Sequence, residues 1–252
     1  MFNVDRLEEI QKLLAEKKSA SVRDLAQRLY VSDATVRRDL NALERQGLVR
    51  RIFGGVVLVE HDQRSVPFFA RTMASDVVND GIALKALGHI HNGQTLMLDA
   101  STTVSALIPH LKRFKDLTII TNASAPMTGL QELDAKVYVI GGLMPRHSLG
   151  YVGYLAEDMV RNFNADILFF TCGGIALDGR ISSPFEEEAG VQRAMLRHAR
   201  KKILLCDREK FGRECLYNLT TLEEIDTLIS DVPFYREPKG DWAPGEARST
   251  GV

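Results

Sequence analysis

Arginines near the N-terminus have the chemistry needed to bind nucleic acid. Between residues 19 and 58 there are seven arginines and four acidic residues, a local charge of +3 in a chain whose net charge is −1. Arginine pairs with DNA phosphates and can donate two hydrogen bonds to one guanine in the major groove. A small nucleic-acid-binding module attached to a larger body typically has this composition, but so does a solvated helix face.

The elements that must position these arginines are short helices. Apolar residues recur every three or four positions from residue 4 to 14, which predicts a first helix. Ser21 can cap a second helix and Ser32 a third. The inward-facing positions of the third helix are expected to be Ala34, Val36, Leu40 and Leu43. The residues we expect to contact DNA there are Ser32, Thr35, Arg37, Arg38 and Asn41.

A β-hairpin is predicted directly after the third helix. Two β-prone runs, residues 48–52 and 56–59, flank Phe53-Gly54-Gly55, a pattern that favours a hairpin wing. Arg50 and Arg51 would then lie along the phosphate backbone. Asp39, inside the third helix, is expected to pair with a neighbouring arginine and not to face DNA. Residues 1–60 thus predict a winged helix-turn-helix domain that binds double-stranded DNA.

The larger part of the chain, residues 76–235, predicts an α/β domain. Six β-prone runs alternate with helical stretches, at residues 95–98, 118–121, 137–140, 167–171, 203–206 and 227–230. This alternation predicts a parallel sheet, and ligands of such sheets bind at the carboxyl ends of the strands. Residues 61–75 have no sustained period and predict a linker, and the polar segment 236–252 predicts a mobile tail.

Polar residues follow several of these strands. Ser101, Thr102 and Thr103 precede a helical run at 104–111, so their hydroxyls and backbone amides could hold a phosphate or could simply cap the helix. Lys210 could neutralise a phosphate, whereas Asp99 and Asp207 suit sugar hydroxyls better. The other residues that we expect at this edge are Asn122, Gly141, Gly142, Arg146 and Gly173.

Several of these residues form a known signature. The spacing of Arg6, Ile10 and Leu14, the run Ser32-Asp33-Ala34-Thr35-Val36-Arg37-Arg38-Asp39-Leu40 and the glycine pair of the wing resemble the N-terminal signature of the DeoR family of bacterial transcription regulators. The family's sensor motifs resemble Asp99–Thr103, Thr121-Asn122, Gly141-Gly142, Glu188 and Asp207–Gly212.

The resemblance implies a sensor domain with a fold like that of ribose-5-phosphate isomerase and a phosphorylated sugar as effector, with Glu188 facing the effector. Ser101 departs from the glycine usual in the family, and Asn79-Asp80-Gly81 replaces the common acidic-lysine pair. The sequence therefore predicts a repressor of carbohydrate-metabolism genes that acts as a homo-oligomer, without naming the sugar or the operon.

Other classes of function are weighed against this hypothesis. The alternative is an isomerase-like enzyme that uses Asp99, Glu188, Asp207 and Lys210 for acid-base chemistry. His89 and His91 have no second cluster that would make a metal site, and we expect no metal or cofactor. A third class is redox sensing through Cys172 and Cys206. Both cysteines occur in apolar, strand-like stretches, which favours buried structural thiols instead.

Composition and hydropathy bear on where the protein acts. The apolar runs are too short to span a bilayer, and the acidic residues near the N-terminus do not fit a secretory signal. Three cysteines without close paired spacing argue against a disulfide framework. We therefore expect a cytoplasmic protein with no membrane partner.

Overall fold

The computed structural model describes residues 6–7, 9–10, 13–14, 19–45, 49–52, 55–58, 68–124, 127–145, 148, 150–236 and 242–244. The chain consists of two compact units, Met1–Met73 and Ala74–Val252. In these described ranges no helix combines the length and the apolar character that crossing a membrane requires.

The first unit contains the predicted helices and wing. Residues 6–7, 9–10 and 13–14 are helical. The elements that follow are β1 (Ser19–Ser21), α1 (Val22–Leu29), α2 (Asp33–Arg45), β2 (Val49–Ile52) and β3 (Gly55–Leu58). The strands form an antiparallel sheet in the order β1-β3-β2. The winged helix-turn-helix fold is thus confirmed, with β1 as a third strand where the sequence predicted only a break.

Ser21 and Ser32 cap the N-termini of α1 and α2, as the sequence predicts. Ser21 Oγ accepts from the Asp24 amide at 3.0 Å and Ser32 Oγ from the Thr35 amide at 3.2 Å. Apolar residues of α1 and α2 pack into one core with Val49 and Val56. Ala34 was expected in this core but is exposed, because two positions turn it about 200° around the helix from buried Val36.

Helix α3 (Phe68–Ala86) contains the division between the two units. The linker predicted at 61–75 therefore overlaps a helix from Phe68 onward, while residues 61–67 lie outside the described residues. Residues 68–75 lack a regular apolar stripe, but they contain no glycine or proline. Helix-favouring alanine, arginine and methionine thus let the helix extend in front of its periodic part.

All six predicted runs form one parallel sheet in the second unit. Its strands are β4 (Thr95–Leu98), β5 (Leu117–Thr121), β6 (Ala135–Val139), β7 (Ala165–Phe170), β10 (Ala199–Cys206) and β12 (Thr227–Ser230). The order is β12-β10-β7-β4-β5-β6. Alternate residues enter different cores, as Leu168 and Phe169 do on β7, so both faces of the sheet are buried.

Short elements complete the second unit. The helices are α4 (Thr102–Ser105), α5 (Met127–Gln131), α6 (Tyr154–Val160) and α7 (Glu186–Arg197). The helix predicted at 104–111 is interrupted: a 3-10 helix, Ile108–Arg113, follows α4, because Pro109 lacks the amide needed to continue an α-helix. A small antiparallel sheet contains β8 (Gly174–Ile175), β9 (Arg180–Ser183) and β11 (Tyr217–Thr221).

The segment 236–252, predicted to be a mobile tail, contains a strand. Residues Trp242–Pro244 (β14) pair with Phe234–Arg236 (β13). The Trp242 amide donates to the Leu177 carbonyl at 2.8 Å, and the indole packs against the core. Residues 242–244 are thus held by pairing with β13, one aromatic side chain and one further backbone hydrogen bond, which leave no periodic pattern in the sequence, and residues 237–241 and 245–252 lie outside the described residues.

Candidate functional site

The outward face of α2 presents the side chains that the sequence assigned to DNA. Arg37, Arg38 and Asn41 are exposed and Thr35 is half-buried, while Val36 and Leu40 are fully buried on the opposite side. Ser32 caps the helix and its hydroxyl also lies 2.9 Å from that of Thr35. The face therefore offers two guanidinium groups and an amide at the beginning of a recognition helix.

Asp39 lies on the buried side of α2 and connects this helix to Arg6. Its carboxylate accepts two hydrogen bonds from Arg6, Nε to Oδ2 at 2.6 Å and Nη2 to Oδ1 at 3.1 Å. Asp39 is 3% exposed, so this paired geometry links α2 to the first helical segment. Asp39 was expected to pair with a neighbouring arginine; it does bind an arginine, but the partner is Arg6 of the first helical segment and not a neighbour in α2.

The wing contributes two further arginines. Arg50 and Arg51 lie on β2 and pair in register with Val57 and Val56 of β3. Their side chains are outside the described part of the structure, as are Phe53 and Gly54 at the turn.

Asp99 is the centre of a buried hydrogen-bond network at the carboxyl ends of β4 and β7. Its Oδ1 accepts from the Ser101 amide at 3.0 Å and from the Ser101 hydroxyl at 2.5 Å. Its Oδ2 accepts from the Thr171 amide at 2.9 Å and from Gln192 Nε2 at 3.1 Å. Burial raises the pKa of Asp99 above its ordinary value, and these hydrogen bonds oppose the rise.

Ser101 and its neighbours form the turn into α4. Ser101 Oγ accepts from the Val104 amide at 3.2 Å, so this side chain both caps the helix and donates to Asp99. Thr102 is half-buried and Thr103 is 2% exposed. The capping alternative raised by the sequence therefore holds for Ser101.

Lys210 places a positive charge next to this network. Its Nζ donates to Thr171 Oγ1 at 2.9 Å and lies 3.5 Å from Asp207 Oδ2. Burial lowers the pKa of Lys210, but the surrounding acidic groups, Asp207 first among them, raise it more, so the net shift is upward. The side chain is thus an ammonium at neutral pH and can neutralise an anion.

Asn122 follows β5 and lies beneath a second segment. The Tyr151 backbone amide donates to the backbone carbonyl of Asn122 at 2.7 Å, and the side-chain Nδ2 of Asn122 donates to the backbone carbonyl of Tyr151 at 3.0 Å. A Cβ on Gly150 would lie 2.7 Å from Ala100 Cβ and 2.8 Å from Asn122 Nδ2. Glycine is therefore required for this close approach, which covers the ends of β4 and β5.

The remaining predicted residues have varied surroundings. A Cβ on Gly142 would lie 2.7 Å from the Val152 carbonyl oxygen, and one on Gly173 would lie 2.6 Å from Pro184 Cδ; both glycines allow close packing. Glu188 is half-buried in the first turn of α7, and Gly141 is partly exposed. Arg146 lies outside the described residues.

Gln192 is the site residue that sequence reasoning missed. In the sequence, the apolar positions Val191, Ala194 and Met195 form one helical face and predict an outward Gln192. Its amide nevertheless donates to Asp99 Oδ2 and, at 3.0 Å, to the Thr171 carbonyl. Gln192 lies at the border of the buried apolar stripe of α7. A polar residue directly beside an apolar stripe is the signal that the sequence offers for such a position.

Thiols and imidazoles near the sheet have structural partners. A hydrogen bond with Cys172, followed by burial, raises the pKa of Cys206 well above its ordinary value, which favours the interpretation of Cys206 as a buried structural thiol. His89 Nδ1 lies 3.0 Å from Lys201 Nζ. Within the described ranges, no group of three or more histidine, cysteine or acidic residues is arranged to hold a metal ion.

Together, the exposed arginine face in a winged helix-turn-helix unit and the polar crevice in a separate α/β unit define a DNA-binding regulator with a sensor domain. Residues 6–62 match the model of the DeoR-like helix-turn-helix domain, and residues 79–232 match that of the DeoR C terminal sensor domain. The chain belongs to the DeoR family of transcriptional regulators.

Named relatives extend over nearly the whole chain. The HTH-type transcriptional regulator GolR of Listeria innocua is 31% identical over 232 residues, which cover 92% of this chain and 91% of GolR. The Lactose phosphotransferase system repressor of Staphylococcus epidermidis is 31% identical, with 92% and 93% covered. The Glycerol-3-phosphate regulon repressor of Escherichia coli is 29% identical, with 92% of each chain covered.

Solved structures show weaker likenesses. A D-ribose-5-phosphate isomerase in complex with phospho-erythronic acid aligns with 14% identity and a TM-score of 0.40, over 53% of this chain and 52% of the isomerase. The eIF2B beta subunit of Chaetomium thermophilum aligns with 13% identity and a TM-score of 0.45, over 82% and 59%. We draw no functional conclusion from likenesses at this level.

Proposed function

We propose that this protein is a cytoplasmic repressor of carbohydrate-metabolism genes whose affinity for operator DNA changes when a phosphorylated sugar binds the sensor domain. The residues proposed to contact DNA are Ser32, Thr35, Arg37, Arg38, Asn41, Arg50 and Arg51. Those proposed to form the effector site are Asp99, Ser101, Thr102, Thr103, Asn122, Gly141, Gly142, Arg146, Gly173, Glu188, Asp207 and Lys210.

One observation carries the effector half of this proposal. Lys210 and Asp99 belong to one hydrogen-bonded chain through Thr171, so a cation for a phosphate and polar groups for a sugar occur at one edge of the sheet. The carboxyl edge of a parallel sheet is also where ligands of this fold class bind. Two relatives are named for glycerol 3-phosphate and for a lactose phosphotransferase system, which supports a phosphorylated carbohydrate as the effector.

The exposed face of α2 supports the DNA half. The Arg6–Asp39 pair holds the helix by its buried side, which leaves Arg37 and Arg38 facing outward. One recognition helix reads only a few base pairs, so we further propose that the protein acts as a homo-oligomer on repeated half-sites.

The alternative of an isomerase-like enzyme finds less support. The named relatives are regulators and repressors.

Selection of bound fragments from genomic DNA, followed by affinity measurements at fixed salt, tests the DNA half. Arg37→Ala and Arg38→Ala should each weaken operator binding, because a bidentate contact to guanine contributes about 1–3 kcal/mol. Arg161→Ala, which removes the same charge from an exposed position in the sensor unit, should not. Full operator affinity in both α2 variants would refute the assignment of the recognition helix.

A further inference from the structure

Two buried side-chain oxygens at the proposed effector site have no hydrogen-bond donor. They are Oδ1 of Asn122 and Oε1 of Gln192, and neither has a partner among the described residues. Both atoms are closed off from solvent, so bulk water does not supply the missing hydrogen bond. Buried polar atoms are nearly always paired in folded proteins, and an exception requires a reason.

The partners of each amide nitrogen fix which atom is the oxygen. Gln192 Nε2 donates to the Thr171 carbonyl and to an Asp99 carboxylate oxygen, neither of which can donate in return. Asn122 Nδ2 donates to the Tyr151 carbonyl. Rotating either amide by 180° would place oxygen against oxygen, so both unpaired atoms are acceptors.

An acceptor needs a donor, and a phosphate at neutral pH offers mainly acceptor oxygens. A hydroxyl group offers the missing hydrogen. Because β4 and β5 are adjacent, Asn122 after β5 is a neighbour of Asp99, to which Gln192 is bonded. Both unpaired oxygens therefore belong to residues at the same edge of the sheet.

We propose that Gln192 and Asn122 select the effector by accepting hydrogen bonds from two hydroxyl groups of its carbohydrate part. This proposal rests on the function proposed above and adds a requirement for hydroxyl donors in addition to phosphate. The segment at Gly150 and Tyr151 packs on Asn122, so the effector reaches this residue by displacing that segment. Hydroxyl recognition is thus linked to a change of backbone position.

Calorimetric titration of the full chain with matched phosphates tests this proposal. The probes are ribose 5-phosphate against 2-deoxyribose 5-phosphate, glycerol 3-phosphate against propyl phosphate, and inorganic phosphate alone. In at least one pair the member with more hydroxyls should bind about tenfold more tightly, the usual effect of leaving a buried acceptor unpaired.

Two variants assign the preference to a residue. Gln192→Met keeps the length of the side chain but removes the acceptor, and it should reduce the ratio of affinities within the pair towards one. Arg197→Gln, at an exposed position on the same helix, should keep the wild-type ratio. Asn122→Ala provides an independent second test of the same loss.

The outcomes separate the two proposals. Equal binding within both pairs by the wild-type protein overturns hydroxyl selection and leaves the sugar-phosphate effector in place, and this comparison requires no variant to fold. A preference that persists unchanged in both variants also overturns the assignment. If no carbohydrate phosphate binds at all, the proposed function itself fails.

Discussion

Asp39 shows how one buried carboxylate determines what its neighbours present. It lies next to Arg38 in sequence, but its two oxygens are occupied by Arg6. The exposed arginines of α2 therefore keep their charge for another partner. The pairing also gives a physical reason why Arg6 and Asp39 both occur in the signature seen in the sequence.

His89 gives a prediction about pH at the same scale. Burial, and then the nearby Lys201, lower the pKa of His89 below 6.5. Between the folded and unfolded pKa values the unfolded chain binds more protons, so this contribution to stability is present above pH 6.5 and is lost as the pH falls. We expect the melting temperature to fall from pH 7.5 to 5.5, and His89→Gln to reduce that fall.

Thermal unfolding of the full chain at both pH values checks this prediction. His91→Gln is the matched control, because His91 is exposed and two residues away. If the melting temperature fell equally from pH 7.5 to 5.5 in the wild type and in His89→Gln, this prediction would be wrong.

Single residues differ in how far the sequence determines them. Ser21 and Ser32 cap their helices as predicted, because a cap bonds to an amide three residues ahead and depends only on local order. Gln192 was missed, because its partner Asp99 is 93 residues away. Helical periodicity predicts which face of the helix a residue occupies, but it does not identify the residues that this face contacts.

At the scale of elements, burial explains which strands were predicted. The inner strands β4, β5, β7 and β10 bury residues on both faces, and all six strands of the parallel sheet were found in the sequence. The small antiparallel sheet was not found, since its strand β9 reads Arg-Ile-Ser-Ser and β8 has two residues. Such strands are formed by their neighbours and not by a hydrophobic run of their own.

Strand β14 provides a prediction at this scale. Trp242 is the only tryptophan in the chain, and it packs against the sensor core. Its fluorescence should therefore be blue-shifted, and its anisotropy should decay at the rate of overall tumbling. Time-resolved measurements on the wild-type protein check this.

Gly179→Ala is expected to move the emission of Trp242 to longer wavelength, because a Cβ at this position would lie 3.1 Å from the indole Nε1 and displace the ring. Gly93→Ala, at another glycine with positive φ but with nothing within 4 Å of the added Cβ, is the matched control. Subnanosecond depolarisation of Trp242 in the wild type would contradict its packing on the sensor core and support the mobile tail that the sequence predicts.

At the scale of the whole molecule, charge and chemistry are divided between two units. The arginine-rich unit carries +3 between residues 19 and 58, while the network of Asp99, Thr171 and Lys210, which we propose binds the effector, lies wholly in the second unit. Regulation then requires that the effector bind one conformation more tightly than another, because equal affinity for both would shift nothing. Typical couplings of this kind change affinity about 5–150-fold.

The most direct test of this account is the affinity of selected operator DNA for the wild-type chain and for Lys210→Ala, at fixed salt, with and without each sugar phosphate. We predict that one sugar phosphate changes the wild-type affinity by at least about fivefold. Lys210→Ala should bind the operator equally well without effector and lose most of that change. An identical response in the two proteins, or no preference of the wild type for any duplex, would contradict the account.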